Sequence, residues 1–248
     1  MLKIKRLIRE YLILLKSLPP VAVAFFFLSI VSMNLLANKS VGALPDWLAL
    51  DCGIIFSWVV FLLMDMIVKR YGVRAANMLS VTALIANLFV ALLFFAASVI
   101  PGTWGESFVE GSENVINAAL NGTFRGTWFV LLGSSTAFIV SAIINNALNA
   151  AVGGIIKKKN FVEFALRAYV STFIGQFTDN LTFALIVSHN FFGWSLLQCV
   201  TCALTGAVAE LIFEVIFSPV GYAVSKRWES AGVGAEYLEF CEKKGVNQ

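Results

Sequence analysis

Six apolar runs, roughly 20–37, 48–68, 75–99, 127–155, 164–188 and 196–224, dominate the chain. A helix needs about 20 apolar residues to cross a hydrocarbon core. The runs therefore predict an all-α membrane protein with six transmembrane helices. The fourth and sixth are long and must tilt, kink or extend past the bilayer. Ahead of them, residues 2–18 alternate basic and apolar positions at helical spacing. That pattern predicts a short amphipathic N-terminal helix on the membrane surface, ended by Pro19 and Pro20. The chain thus divides into an interfacial helix at 1–19, a six-span domain at 20–225 and a tail at 226–248. No cleavable signal peptide is expected, because the first apolar run lacks a small-residue cleavage site.

Composition agrees. Of 248 residues, 59% are hydrophobic and 13% charged, with a mean hydropathy of +0.83. A soluble domain carries about 25% charged residues, so a soluble core, a disordered chain and a nucleic-acid-binding tail are excluded. Charge placement sets the orientation. Sixteen of the 18 Lys and Arg flank one side of the six runs, and only Lys39 and Arg125 flank the other. By the positive-inside rule both termini are cytoplasmic. The 100–126 loop, with Glu106, Glu110 and Glu113, then faces outward and is expected to carry a short helix around Val109–Leu120. Trp47, Trp128 and Trp194 fall at outer ends and Trp228 at an inner one, as interfacial anchors do. Cys199 and Cys202 form a CxxC within an apolar run and read as packing residues. The sequons at Asn38, Asn121 and Asn180 carry little weight, since the third lies within a span.

The candidate chemistry lies inside the spans. An ionisable group at a helix centre costs about 2.5–3.5 kcal/mol on insertion scales and usually faces a cavity or a partner. Asp65, Asp179, Glu210 and Glu214 are such groups, and Arg167 is the nearest cation. Helical spacing gathers them into stripes. These are Thr172, Gln176, Asp179 and Phe183 in span five; Gly206, Glu210 and Glu214 in span six; and Ser141, Asn145 and Asn149 in span four. In span two, Trp58 and Asp65 are seven apart on one face. Asp65 also stands four residues before Lys69, which offers a plain helix-end ion pair. Glu210 and Glu214, one turn apart, are candidates to share a coupling proton. His189 is the only histidine and cannot build a metal site alone. No phosphate-binding glycine loop and no nucleophile–base motif is present, so no catalytic residue is expected.

Four segments carry a resemblance. They are FLLMDMIVKRYGVR over Phe61–Arg74, STFIGQFTDNLTF over Ser171–Phe183, EVIFSPVGY over Glu214–Tyr222, and NLLANK over Asn34–Lys39. Taken in chain order they resemble the vitamin-uptake-type (VUT) family of queuosine precursor transporters, and the span-five segment is the most specific. The resemblance implies import of deazaguanine bases across a bacterial inner membrane. It places Asn34, Asp65, Arg167, Gln176, Asp179 and Glu214 at the family's matching positions. Asn146 and Asn149 stand where the family usually has a Q-x-x-D, Asn180 replaces a Thr, and Glu210 replaces a Lys.

The chemistry suits such a solute. A carboxylate accepts the ring N–H and amino group of a deazaguanine in a fork, and Gln or Asn amides complement its carbonyl. Trp58, Phe177 or Phe183 could stack on the ring. The expected partners are a small purine-like molecule, the lipid bilayer and, as protein, a second copy in a homodimer; no nucleic acid, cofactor or metal is expected. The alternative is a substrate-capture subunit of an ATP-driven uptake complex. A non-transporting scaffold would leave the midplane acids unexplained.

Overall fold

The structure is a computed structural model that describes residues 2–37, 39, 52–104, 110–125, 128–156 and 160–245. Trp47, the sequon residue Asn38 and Lys157 through Lys159 lie outside the described residues, as does the side chain of Trp128. The described chain is helical, with no strand among the described residues. Its helices are α1 (Leu2–Ser17), α2 (Pro20–Leu36), α3 (Ile54–Tyr71), α4 (Val73–Val99), α5 (Glu113–Arg125), α6 (Trp128–Ile155), α7 (Phe161–Phe183), α8 (His189–Phe192), α9 (Leu196–Ser230) and α10 (Ala235–Lys244). A single π-helical turn, Ala184–Ser188, joins α7 to α8.

Local chemistry accounts for the boundaries. Pro20 opens α2, where a missing N–H costs nothing. Gly72, at φ 88°, is the whole connector between α3 and α4, a left-handed backbone that favours glycine. Asn160 caps α7 by accepting the Glu163 N–H, and Ser195 with Gln198 forms a capping box on α9. Pro219 lies inside α9 and cannot donate to the Val215 carbonyl. The Ser218 hydroxyl donates to that carbonyl instead, at 3.2 Å, and the Tyr169 hydroxyl bonds Ser218 at 2.8 Å.

Packing is inverted relative to a soluble protein. Phe25, Ile85, Phe89, Leu92, Ile212 and Ile216 are exposed, while Asp65, Asn145, Asn149, Gln176 and Glu214 are buried. Polar groups inside and an apolar exterior fit a lipid surround, where backbone bonds must be met within each helix. Val73–Val99, Leu131–Ile155 and Leu196–Ser230 are each long and apolar enough to cross a bilayer. The remaining helices within the six runs are α2, α3 and α7. The first has 17 residues, and the other two carry charged side chains. α6 and α7 pack along each other, as do α7 and α9, and α3 lies against α9 and α6.

α1 meets α2 at 104°, so it lies across the end of α2. It is not isolated: Glu10 on its buried side holds Arg74 of α4 through two bonds, at 2.5 and 2.9 Å. This bond raises the Arg74 pKa. The tail also folds back. α9 runs past residue 225 to Ser230, and α10 packs on α1, with Arg6 bonding the Lys244 carbonyl at 3.0 Å. The Tyr71 and Tyr237 rings meet at 6.2 Å, and the Gly234 turn at φ 84° lets the chain pass against Tyr71. The helix expected around Val109–Leu120 spans Glu113–Arg125 instead; residues 105–109 lie outside the described residues. It is pinned to α4 by stacking of Phe124 on Phe94 at 4.5 Å, and Trp104 bonds Asn121 at 2.8 Å.

Candidate functional site

One polar cavity of about 70 Å³ opens among the helices. It is lined by Met33, Asn34 and Ala37 at the end of α2, Gly53, Ile54 and Ser57 at the start of α3, Ser134 of α6, Asp179, Asn180 and Phe183 of α7, and Cys202, Gly206 and Glu210 of α9. The lining fixes helix direction. The end of α2 and the C-terminal half of α7 meet the starts of α3, α6 and α9, so the first two run opposite to the other three.

The stripes read from the sequence reach the cavity at one end, with Asp179 and Phe183 on α7 and Gly206 and Glu210 on α9. Ser141 donates to Asp179 Oδ1 at 2.7 Å. Ser134 bonds Asn34 Oδ1, while Asn34 Nδ2 donates to its own helix at Ile30. Gly206 lets α7 approach, since a Cβ there would lie 2.5 Å from Asn180 Nδ2. Phe183 brings an aromatic ring to the wall, immediately before the π-helical turn. Such turns often mark functional sites.

Below the cavity the layer is closed. Asp65 is fully buried and accepts three bonds: from Asn145 at 3.2 Å, Ser171 at 3.1 Å and Thr172 at 3.4 Å. Deeper still, Arg167 grips Asn149 Oδ1 with Nε and Nη2, at 3.1 and 2.7 Å, and Glu163 with Nη1 at 2.8 Å. Lys69 takes the other Glu163 oxygen at 2.7 Å, with its ammonium 5.2 Å from the Phe164 ring centre and 5.5 Å from that of Tyr222. Burial pushes the Glu163 carboxyl up, but its bonds to Lys69 and Arg167 outweigh this and hold it below the ordinary value of 4.5. Two cations on one carboxylate, flanked by rings, make a tight plug at this end.

The expected residues therefore separate into layers. Asn34, Asp179 and Glu210 line the cavity. Gln176 and Glu214 lie one turn beneath Asp179 and Glu210, and Asp65 lies with them. Arg167 and Asn149 belong to the plug. Asn146 faces away, donating to Asn77 of α4 at 2.6 Å. Trp58 does not line the cavity. Its ring stacks on Phe217 at 4.2 Å and Phe213 at 5.9 Å, and its N–H is taken by the Ile55 carbonyl. Nor does Lys69 pair with Asp65; Glu163 holds it. Sequence reasoning named neither Ser134 nor Glu163 as a site residue. Glu163 could have been found as an acid four residues before Arg167 on α7.

Comparison with known proteins gives the family. A family model described as "putative vitamin uptake transporter" matches residues 51–224, about seven-tenths of the chain. The chain belongs to the vitamin uptake transporter family. No curated protein and no solved structure matches it. The match covers α3 through most of α9, and with it Asp65, the plug, and the α7 and α9 walls of the cavity. Asn34 on α2 lies outside the matched segment. Membership of this transporter family and the apolar exterior identify a multi-pass membrane protein.

Proposed function

We propose that the chain is a six-span carrier that imports a purine-like base, a deazaguanine precursor of queuosine, across a bacterial inner membrane by alternating access. One observation carries this reading: Asp179 stands at the wall of the polar cavity, oriented by Ser141. A carboxylate held this way presents a fork to the ring N–H and amino group of a guanine-like edge. Asn34 and Asn180 offer amides for the opposite edge, and Phe183 offers a stacking face, worth about 1–3 kcal/mol in base-binding sites. Glu210, in the same wall, suits a cationic substituent.

The cavity volume supports alternation. At about 70 Å³ it falls well short of the roughly 300–1,000 Å³ of small-molecule sites. A base enters only if the helices part at this end. The plug of Lys69, Glu163 and Arg167 seals the other end meanwhile, and its bonds must break for release. Asp179→Asn, expressed in cells, is expected to abolish uptake of a labelled deazaguanine while its membrane level is unchanged. Wild-type uptake by that variant would show that the carboxylate is structural and would contradict this site.

A further inference from the structure

The layer beneath the cavity holds more hydrogen-bond acceptors than donors. On α7 the stripe descends from Asp179 at the wall through Gln176 to Thr172, which donates to Asp65. On α9 it descends from Glu210 at the wall to Glu214, which interacts electrostatically with Asp65. Gln176 and Glu214 thus stand between the cavity and Asp65. Glu214 is fully buried and Gln176 is 1% exposed. Neither Glu214 oxygen, neither Gln176 amide atom, nor the Asn145 oxygen has a hydrogen-bond partner. This layer therefore holds four unpartnered acceptors and one unpartnered donor, the Gln176 amide nitrogen. Buried polar groups left in that state are costly.

Charge points the same way. Glu163 is bonded to both Lys69 and Arg167, and Arg167 also acts on Asp65. These two cations and two acids balance. Among the described residues of this layer, Glu214 remains, and neutrality calls for one positive charge beside it. A proton would supply the charge but only one donor. A hard monovalent cation would meet the charge and engage all four acceptors, since carboxylate and carbonyl oxygens are the ligands such ions prefer.

We propose that Glu214, Gln176 and Asn145, with Thr172 and Asp65, bind a sodium ion beneath the solute cavity. That this ion drives uptake rests on the carrier reading; its binding does not. The proton-sharing pair expected from sequence, Glu210 and Glu214, is then divided between the cavity wall and the ion site.

Thermal unfolding of the purified full-length protein tests the site, in sodium, potassium or choline chloride at equal ionic strength and fixed pH. Sodium is expected to raise the midpoint by about 3 °C over choline, and Glu214→Gln and Gln176→Leu are each expected to lose the shift. The same midpoint in all three salts would overturn the site, as would a shift that survives in both variants. In proteoliposomes an inward sodium gradient is expected to speed solute uptake by about fivefold or more. Uptake that follows a proton gradient and ignores sodium would overturn the coupling role. Sodium binding without solute uptake would leave the ion site standing and remove the carrier reading.

Discussion

Glu163 shows how much one side chain can carry. It is buried, accepts from Lys69 and Arg167, and ties α3 to α7. Glu163→Gln would leave two half-buried cations without their carboxylate; breaking a fully buried pair costs about 3 kcal/mol or more, and solvent screening lowers the cost here. A correspondingly lower thermal midpoint is expected. The pH dependence follows from the same bonds. The folded-state pKa of Glu163 lies below the ordinary 4.5, so its contribution is complete above that value. It is lost as pH falls through the folded value. Wild type should therefore lose stability on acidification below about pH 4.5 more steeply than Glu163→Gln; parallel pH profiles of the midpoint would contradict this. At this scale, spacing revealed which polar residues share a face, and Ser141, Asn145 and Asn149 all joined the network on α6. It could not show which of two carboxylates Lys69 would choose. Asp65 is four residues away on the same helix, yet Glu163 is nearer in space. Trp58 departs from its sequence pattern for a similar reason. Its heptad relation to Asp65 holds, but an indole stacked against two Phe rings of α9 gains more there than by facing polar groups.

The helices themselves were largely legible, because lipid-facing apolar runs advertise their length. α4, α6 and α9 follow the expected runs closely. Less legible were features set by tertiary contact: the π-helical turn that ends α7, the start of α5, and the return of α10 onto α1. Close packing of α6 on α7 depends on small residues. A Cβ at Gly175 would lie 3.0 Å from both Asn145 Cβ and the Phe61 ring, and neither the backbone-proximal Cβ nor the buried ring can yield freely. Gly175→Ala is expected to destabilise by about 1–3 kcal/mol, read as a lower thermal midpoint. A variant as stable as wild type would show that this interface has slack.

At the scale of the whole molecule, the cavity and the plug lie at opposite ends of the bundle. The plug end gathers Lys69, Arg70, Arg74 and Arg167 with α1 and α10, and the cavity end holds Lys39. We expect the plug end to face the cytoplasm, because basic residues are retained there. Single cysteines at Ser112 and Lys243, in a background lacking the four native cysteines, test this in intact cells. An impermeant thiol reagent should label the first and spare the second; the reverse would invert the assigned orientation. Family and the shared faces could be read from motifs, whereas the layer beneath the cavity is built from α3, α6, α7 and α9 atoms that meet only in three dimensions.

On the proposed function this chain moves a guanine-like base unaided. The most direct test is uptake of a labelled deazaguanine by the purified chain alone in proteoliposomes, in sodium buffer without ATP. Saturable accumulation inside the vesicles is expected. Binding without accumulation, converted to uptake only when an ATP-driven partner is added, would contradict it and identify the chain as a capture subunit.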